Sequence, residues 1–438
     1  MNSSLFQIYL CRAADFPTQL EQALFAETRL LQAEVLVSSA PLSVKEFPHG
    51  QYQVIQEMES WGKLWDSGYF RLNGEIPKEW KNCAIWLQLE MGGEVLLFDS
   101  NCRPLGSLTN TCTQVKNFKK TLFPLFDQTT GAEKFTLLAE VAANGFAETA
   151  DCEIGICRHL KYGVFRKDVW DLLNDFRVVL SLLEIHQKTP WVCPGSYHWD
   201  RTAAQGPSDH RAAWLCRILN AAIDAYADNP GNAALAREVL RPALETPAQQ
   251  KELTTTAVGH AHLDIGYLWK IAETKRKACR TFAGQLYNIR RYPGYVFGAS
   301  QPQLYAFVKE RMPQLYEQVR EAVRQGSWEL QGGMWVEADC NLISGESMVR
   351  QFLHGKNFYM DEFGVDVKNL WLPDVFGYSA ALPQIMRQAG CEFFLAQKLS
   401  WNEFNRFPYN SFRWRGLAGA EAMVHFLPED NYNSYLEP

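Results

Sequence analysis

The sequence predicts an α/β plus β chain in three parts: a β-rich N-terminal accessory domain (residues 1–165), a helical bridge (166–250) and a C-terminal α/β region (251–438). Three observations predict it. Short alternating runs give way near Val169 to apolar residues spaced three and four apart. After Thr254, strand-like runs alternate with helical ones, the pattern of a parallel sheet with crossover helices. The strand-like runs of that last region end in polar residues, where functional groups gather in α/β sheets and barrels.

The bulk composition sets the class. A chain of 438 residues with 47% hydrophobic and 21% charged residues is an ordinary soluble globular protein of two or three domains. The net charge of −6 and the absence of a Lys/Arg block argue against nucleic acid and anionic membranes as partners. No apolar run approaches the ~20 residues of a membrane span. The opening MNSSLFQIYLCRAADF has no basic leader, and Gln7 interrupts its short apolar run, so no signal peptide is expected. The 11 cysteines are odd in number and lack CxxC pairs, which fits free, mostly buried thiols in a reducing, cytoplasmic setting.

Along the N-terminal region a helical pattern is expected around Leu20–Val37. A hairpin is expected from Cys83–Leu89 and Val95–Phe98 about the turn Met91-Gly92-Gly93, and a further strand over Phe135–Val141. Trp61, Trp65, Phe70, Trp80 and Trp86 suit a sugar-stacking platform, but buried core is the better expectation for such residues. In the bridge, Trp170, Leu172, Leu173, Phe176, Val179, Leu180 and Leu183 mark a first helix, Asp209–Ala225 a second and the stretch from Ala233 a third. Pro190–Gly195 reads as a loop between helices.

The α/β region opens with the strand-like Thr254–Val258 and then Gly259-His260-Ala261-His262-Leu263-Asp264. In an extended chain side chains two apart share a face, so His260, His262 and Asp264 converge as nitrogen and oxygen donors suited to a divalent metal. A helix over 272–292 follows, then a strand over 295–299, and helical segments over 302–325 broken at Pro313. Next come a strand over 327–331, a helix from Gly345 to Phe363 capped by Ser344, a strand over 369–372, a helix over 382–389 and a strand over 393–396. Asp374 sits just past the strand Asn369–Leu372. There it is a third metal ligand, a nucleophile or both, against the plainer role of a turn or capping aspartate.

GHAHLDIGYLWKIAETKRKACRTF and WLPDVFGYSAALPQI, with QGGMWVEAD between them and FRWRGLAG and VHFLPEDNY after, resemble the class II α-mannosidases, glycoside hydrolase family 38. WDSGYFRLNGEIPKEW and LLAEVAANGF resemble the N-terminal domain of the family's cytosolic-type members. The resemblance implies a seven-stranded parallel β/α barrel, present here as its N-terminal part. It implies one divalent metal, zinc or alternatively cobalt, held by His262, Asp264 and Asp374, with Asp374 also the nucleophile of a retaining hydrolysis of terminal α-mannose. His260, Trp335 and Tyr432 are then expected at the substrate, with Trp269 a further wall candidate. The partner implied is a mannose-containing oligosaccharide, with a homo-oligomer as the assembly the family allows. Family members carry a fourth ligand, a His, and an acid/base Asp further downstream. Neither is assigned here, so the chain is expected to be an N-terminal fragment, with Glu337, Asp339 and Asp430 as weak stand-ins for the acid/base. A metal-dependent deacetylase or amidohydrolase and a non-catalytic glycan-binding remnant stay open beside this reading.

Overall fold

The computed structural model describes residues 3–44, 47, 49–110, 119–144, 154–187, 206–246 and 256–428. The chain begins with a helix, α1 (Ser3–Gln22), whose buried Phe6, Leu10, Ala13, Phe16 and Leu20 form one stripe. The helical pattern expected around Leu20–Val37 is overturned. The chain leaves α1 at Gln22 and forms β1 (Phe25–Leu30) and β2 (Gln32–Ser38). Leu30, Leu31, Val35 and Leu36 fit either period. Pairing settles it: β2 runs antiparallel to β4 (Ser67–Glu75) from Gln32↔Asn73 to Ser38↔Ser67, and Ala33 and Val35 alternate into the core.

The remaining strands of this part are β3 (Gln53–Ile55), β5 (Ile85–Glu90), β6 (Glu94–Phe98), β7 (Pro104–Thr109), β8 (Leu122–Phe126), β9 (Lys134–Ala142) and β10 (His159–Phe165). They form two antiparallel sheets, ordered β1-β10-β5-β8 and β3-β2-β4-β9-β6-β7. The expected hairpin is therefore corrected: β5 and β6 lie in different sheets, and Met91-Gly92-Gly93 crosses between them. The crossing is tight, because a Cβ on Gly93 would lie 2.2 Å from the Ala142 carbonyl oxygen. Asn110 pins it by accepting from Met91 N–H (2.8 Å) and donating to Leu89 C=O (3.1 Å). Leu72, Ile85, Leu87, Leu89, Leu97 and Val141 fill the space between the sheets. Trp61, Phe70, Trp80 and Trp86 are buried and only Trp65 is substantially exposed, so the core expectation holds for four of the five rings.

Neither outer face of this sandwich is bare. α1, though within the span expected as β-rich, packs with α2 (Lys167–Gln187), α3 (His210–Tyr226) and α4 (Ala233–Glu245). The resulting bundle covers the four-stranded sheet through Trp86 and Phe165, whose rings stack at 3.9 Å. The expected loop Pro190–Gly195 lies outside the described residues. On the other side, Tyr69, Leu96, Phe98 and Leu138 of the six-stranded sheet pack against the α/β region.

That region follows the expected alternation closely. Its strands are β11 (Gly259–His260), β12 (Phe297–Ala299), β13 (Trp328–Leu330), β14 (Asn369–Leu372), β15 (Phe393–Ala396), β16 (Ser411–Arg415) and β17 (Glu421–Phe426). The helices are α5 (Ile271–Arg291), α6 (Pro302–Arg311), α7 (Pro313–Arg324), α8 (Gly345–Phe363) and α9 (Leu382–Gln388), with Ser344 capping α8 by accepting from Ser347 N–H. β11-β12-β13 and β14-β15-β17 pair in parallel, and β16 adds antiparallel to β17. The two groups meet where Gly333 N–H donates to Asn369 C=O (2.9 Å) and Gly332 N–H to the Asn369 side chain (2.7 Å). The expected strand at Thr254–Val258 is not formed where it can be judged. Thr256–Val258 are irregular, the strand begins at Gly259, and Thr254 and Thr255 lie outside the described residues.

A buried ion network fastens α5 to the sandwich. Arg276 pairs with Glu140 of β9 (2.9 Å) and Glu273 (3.1 Å), and donates to Ser67 Oγ (3.0 Å) and Val141 C=O (3.2 Å). Arg311 at the end of α6 reaches the same Glu140 (2.6 Å). Arg280 and Lys277 grip Glu94 of β6 (2.8 and 2.9 Å), Arg280 also pairs with Glu273, and Asn144 donates to Glu273 (2.8 Å). Burial alone would raise the Glu94 carboxyl, but Lys277 and Arg280 outweigh it and hold it at about 2. Such a network is costly to break from one side, because the orphaned charge stays buried. Replacing Glu140 with Ala is expected to cost about 3–5 kcal/mol of stability in a urea melt. A loss under about 1 kcal/mol would mean that the two arginines find water or other partners.

Candidate metal centre

The polar strand ends of the α/β region meet at one place. β11 ends at His260, whose ring is fully engaged. Nδ1 lies 2.8 Å from Gly298 C=O of β12, and Nε2 lies 3.1 Å from Nε1 of Trp371 on β14. An indole N–H only donates and a carbonyl only accepts, so His260 is the neutral Nδ1–H tautomer. Burial, the largest influence, pulls its pKa below the ordinary value. His260 thus stands beside the site and ties β11 to β14, which belong to different sheets.

Two residues on, His262 turns into a nest of carboxylates. Its Nε2 lies 3.1 Å from Asp264 Oδ1 and 3.6 Å from Asp374 Oδ2, and its Nδ1 lies 2.7 Å from Glu337 Oε2. One ligand atom each from His262, Asp264 and Asp374 falls within 4.8 Å of the others. This is the one such group among the described residues. An imidazole and two carboxylates form a nitrogen–oxygen donor set that suits a borderline divalent cation, and an imidazole whose other nitrogen meets a carboxylate is the usual setting of a metal-ligating histidine. The residues present therefore fit the implied metal.

The loops that deliver these groups are themselves held. The Thr274 hydroxyl, buried on the first turn of α5, accepts from Gly266 N–H (3.1 Å) and Trp269 Nε1 (3.0 Å) and donates to Asp264 C=O (3.4 Å). Gln301 adopts φ +66°, the sparsely populated left-handed region. In that conformation its side chain donates to Leu263 C=O (2.8 Å) and accepts from Glu337 N–H (3.1 Å), joining two strand-end loops. On the far side Lys398, just past β15, pairs with Asp374 Oδ1 and lies 3.9 and 3.4 Å from the ring centres of Phe376 and Trp401.

The structure thus brings His262, Asp264 and Asp374 together and leaves His260 adjacent. Trp335 is set apart from them: its indole donates to Gln303 (3.1 Å), its ring meets Phe358 edge-on at 5.5 Å, and it lines a small cavity with Arg350, Gln351 and His354. Trp269 packs over Thr274 and Lys277. Tyr432 and Asp430 lie outside the described residues. Glu337 has both oxygens engaged, and Asp339 accepts from the Asn341 and Leu342 N–H groups (2.8 and 2.7 Å) as a turn-forming aspartate. Ser300 and Gln301 were visible in the sequence as polar residues past a strand, without a role. Sequence reasoning missed Lys398, which lies two residues past the strand Phe393–Ala396 and could have been flagged by the same strand-end rule.

Sequence comparison relates two segments of the chain to known families. Residues 252–436 match the Glycosyl hydrolases family 38 N-terminal domain, and residues 29–159 match the jelly roll domain of α-mannosidases. Residues 252–436 thus carry a glycosyl hydrolase family 38 N-terminal domain. It is 33% identical over 416 residues to human Alpha-mannosidase 2C1, covering 91% of this chain and 37% of that protein. It is 31% identical over 405 residues to Alpha-mannosidase G of Dictyostelium discoideum, covering 90% of this chain and 35% of that one. A shorter match, 41% over 178 residues, links it to an α-mannosidase of Saccharomyces cerevisiae, covering 40% of this chain and 16% of the yeast protein. The chain therefore corresponds to an N-terminal portion of α-mannosidases and spans little more than a third of the first two relatives.

Burial disfavours the charged imidazole, but Glu337 and Asp264 outweigh it and push His262 up to about 10. A raised folded pKa stabilises fully below the unfolded value of about 6.5, and the effect is lost as pH rises toward 10. Melting midpoints of the metal-free chain should fall between pH 6.5 and 8.5, and His262→Asn should flatten that slope. An unchanged slope would show that His262 does not hold this proton.

Proposed function

We propose that the protein to which this chain belongs removes terminal α-linked mannose from oligosaccharides with retention of anomeric configuration. The convergence of His262, Asp264 and Asp374 at strand ends, within the segment that matches family 38, carries the reading. His262, Asp264 and Asp374 would hold one divalent ion, zinc or alternatively cobalt. Such an ion, when bound, binds and orients sugar hydroxyls. Asp374 is the nucleophile: one carboxylate oxygen bonds to the anomeric carbon as the glycosidic bond breaks, and water later releases the sugar. Lys398, pressed between Phe376 and Trp401, fixes the carboxylate from the side away from His262.

The leaving oxygen needs a proton from a second carboxylic acid. Glu337 and Asp339 are engaged elsewhere, and no residue is assigned that role. We read the six parallel strands β11–β15 and β17 as successive staves of a β/α barrel. The His260–Trp371 contact across its interior and the Gly333–Asn369 join support this. No helix among the described residues is long and apolar enough to cross a membrane, and the eight described cysteines are free. With the resemblance to cytosolic-type members, the free thiols favour a cytoplasmic site of action. The glycan-binding alternative predicts sugar affinity that survives loss of His262 and Asp264.

Elemental analysis tests the metal. About one zinc per chain is expected, lost in the His262→Ala/Asp264→Ala pair, and a chain that takes up none would remove the metal-dependent reading. For the reaction, a mannosyl fluoride that traps the glycosyl ester should label Asp374, located by mass spectrometry of peptides. Asp374→Ala should lower α-mannoside turnover by roughly 10³-fold or more. Undiminished turnover in that variant would exclude Asp374 as nucleophile, turnover without a trapped ester would exclude the retaining mechanism, and metal binding with neither α-mannoside turnover nor a trapped ester would favour a metal-dependent amidohydrolase instead.

A further inference from the structure

We propose that Glu337 is a positioning residue of the metal centre: its carboxylate fixes the tautomer and tilt of His262 so that Nε2 faces the cation. The inference rests on the metal reading above and adds a residue from a third strand end. Glu337 Oε2 lies 2.7 Å from Nδ1 of His262, while Nε2 of the same ring points at Asp264 Oδ1 (3.1 Å) and Asp374 Oδ2 (3.6 Å). A carboxylate at Nδ1 requires a proton there, which leaves the Nε2 lone pair for a metal. The carboxylate–histidine–metal arrangement recurs because a full negative charge on the far nitrogen raises the basicity of the near one.

Glu337 is placed to do this and little else. Its side chain is only 5% exposed. Its other oxygen accepts from Ser300 Oγ (2.7 Å), at the end of β12. Its backbone N–H is held by Gln301, whose amide also holds Leu263 C=O, the residue between the two proposed ligands His262 and Asp264. The orienting carboxylate and the loop it acts on are thus fixed to the side chain of one residue, Gln301, whose backbone is in the left-handed region. A buried glutamate serving only to neutralise a buried histidine would not need both oxygens and the backbone tied to the strand ends on either side.

The test is metal binding by the whole chain, with no substrate. Zinc affinity is measured by competition with a chromophoric chelator, and the cobalt form is examined by its visible absorption. Glu337→Gln keeps the size and a hydrogen-bond acceptor but loses the charge. It should weaken zinc roughly tenfold and shift the cobalt bands, and Glu337→Ala should weaken zinc by up to about 100-fold. Folding of each variant is checked by circular dichroism before metal is added. If neither substitution folds, Ser300→Ala, which frees the second Glu337 oxygen, should weaken zinc roughly two- to threefold. Glu337→Gln, or failing it Ser300→Ala, binding zinc as tightly as the native chain with unchanged cobalt bands overturns the proposal and leaves the metal reading intact. Failure of the native chain to bind zinc any better than His262→Ala overturns both.

Discussion

The site depends on ion pairs that it does not contain. Arg276 and Arg280, buried on α5, bind Glu140, Glu94, Ser67 and the Val141 carbonyl of the sandwich, and Arg311 on α6 shares Glu140. Charges taken from water are costly unless nearly every donor and acceptor is met. α5 therefore has essentially one seat against the sandwich. Its first turn carries Thr274, the hydroxyl that gathers Gly266, Trp269 and the Asp264 carbonyl. The position of Asp264 is thus passed from the sandwich through one helix to the loop after β11.

Within the site, different strand ends supply different side chains. β11 brings His262 and Asp264, β12 brings Ser300 and Gln301, β13 brings Glu337, β14 brings Asp374 and β15 brings Lys398. No single strand supplies a working set, so the geometry exists only once the parallel order is in place. The left-handed Gln301 is where this assembly holds strain, and its two side-chain hydrogen bonds offset it.

Much of the α/β region was legible in the sequence because short apolar runs alternate with long amphipathic ones at lengths only strands and helices satisfy. Pro313 and Ser344 mark boundaries by their own backbone chemistry. That His262, Asp264 and Asp374 come together was legible because two histidines and an aspartate alternate after a strand, but residue type alone left Asp374 an ordinary turn aspartate until the family resemblance singled it out. Partnership was not legible. β5 and β6 are buried on both faces, so nothing in their pattern says that they belong to different sheets. Leu20–Val37 fits both periods until β4 is there to pair with β2. The Lys- and Arg-rich helix looks solvated in sequence, yet Arg276 and Arg280 are buried because acceptors distant in the chain await them. Glu337 was visible only as one carboxylate among several, since its meaning lies in which nitrogen of which histidine it meets.

The fastening of α5 also bears on how such a protein can change over generations. Glu94 and Glu140 touch no proposed ligand, yet a drift at either leaves an arginine or lysine on α5 or α6 uncompensated in the interior. A change at position 94, 140, 273, 276, 280 or 311 therefore calls for a matching change at its partner. The jelly roll is kept in step with the α/β layer by heredity as well as by contact. Recombination that paired one lineage's sandwich with another's α/β layer would succeed only where these six residues had diverged in concert.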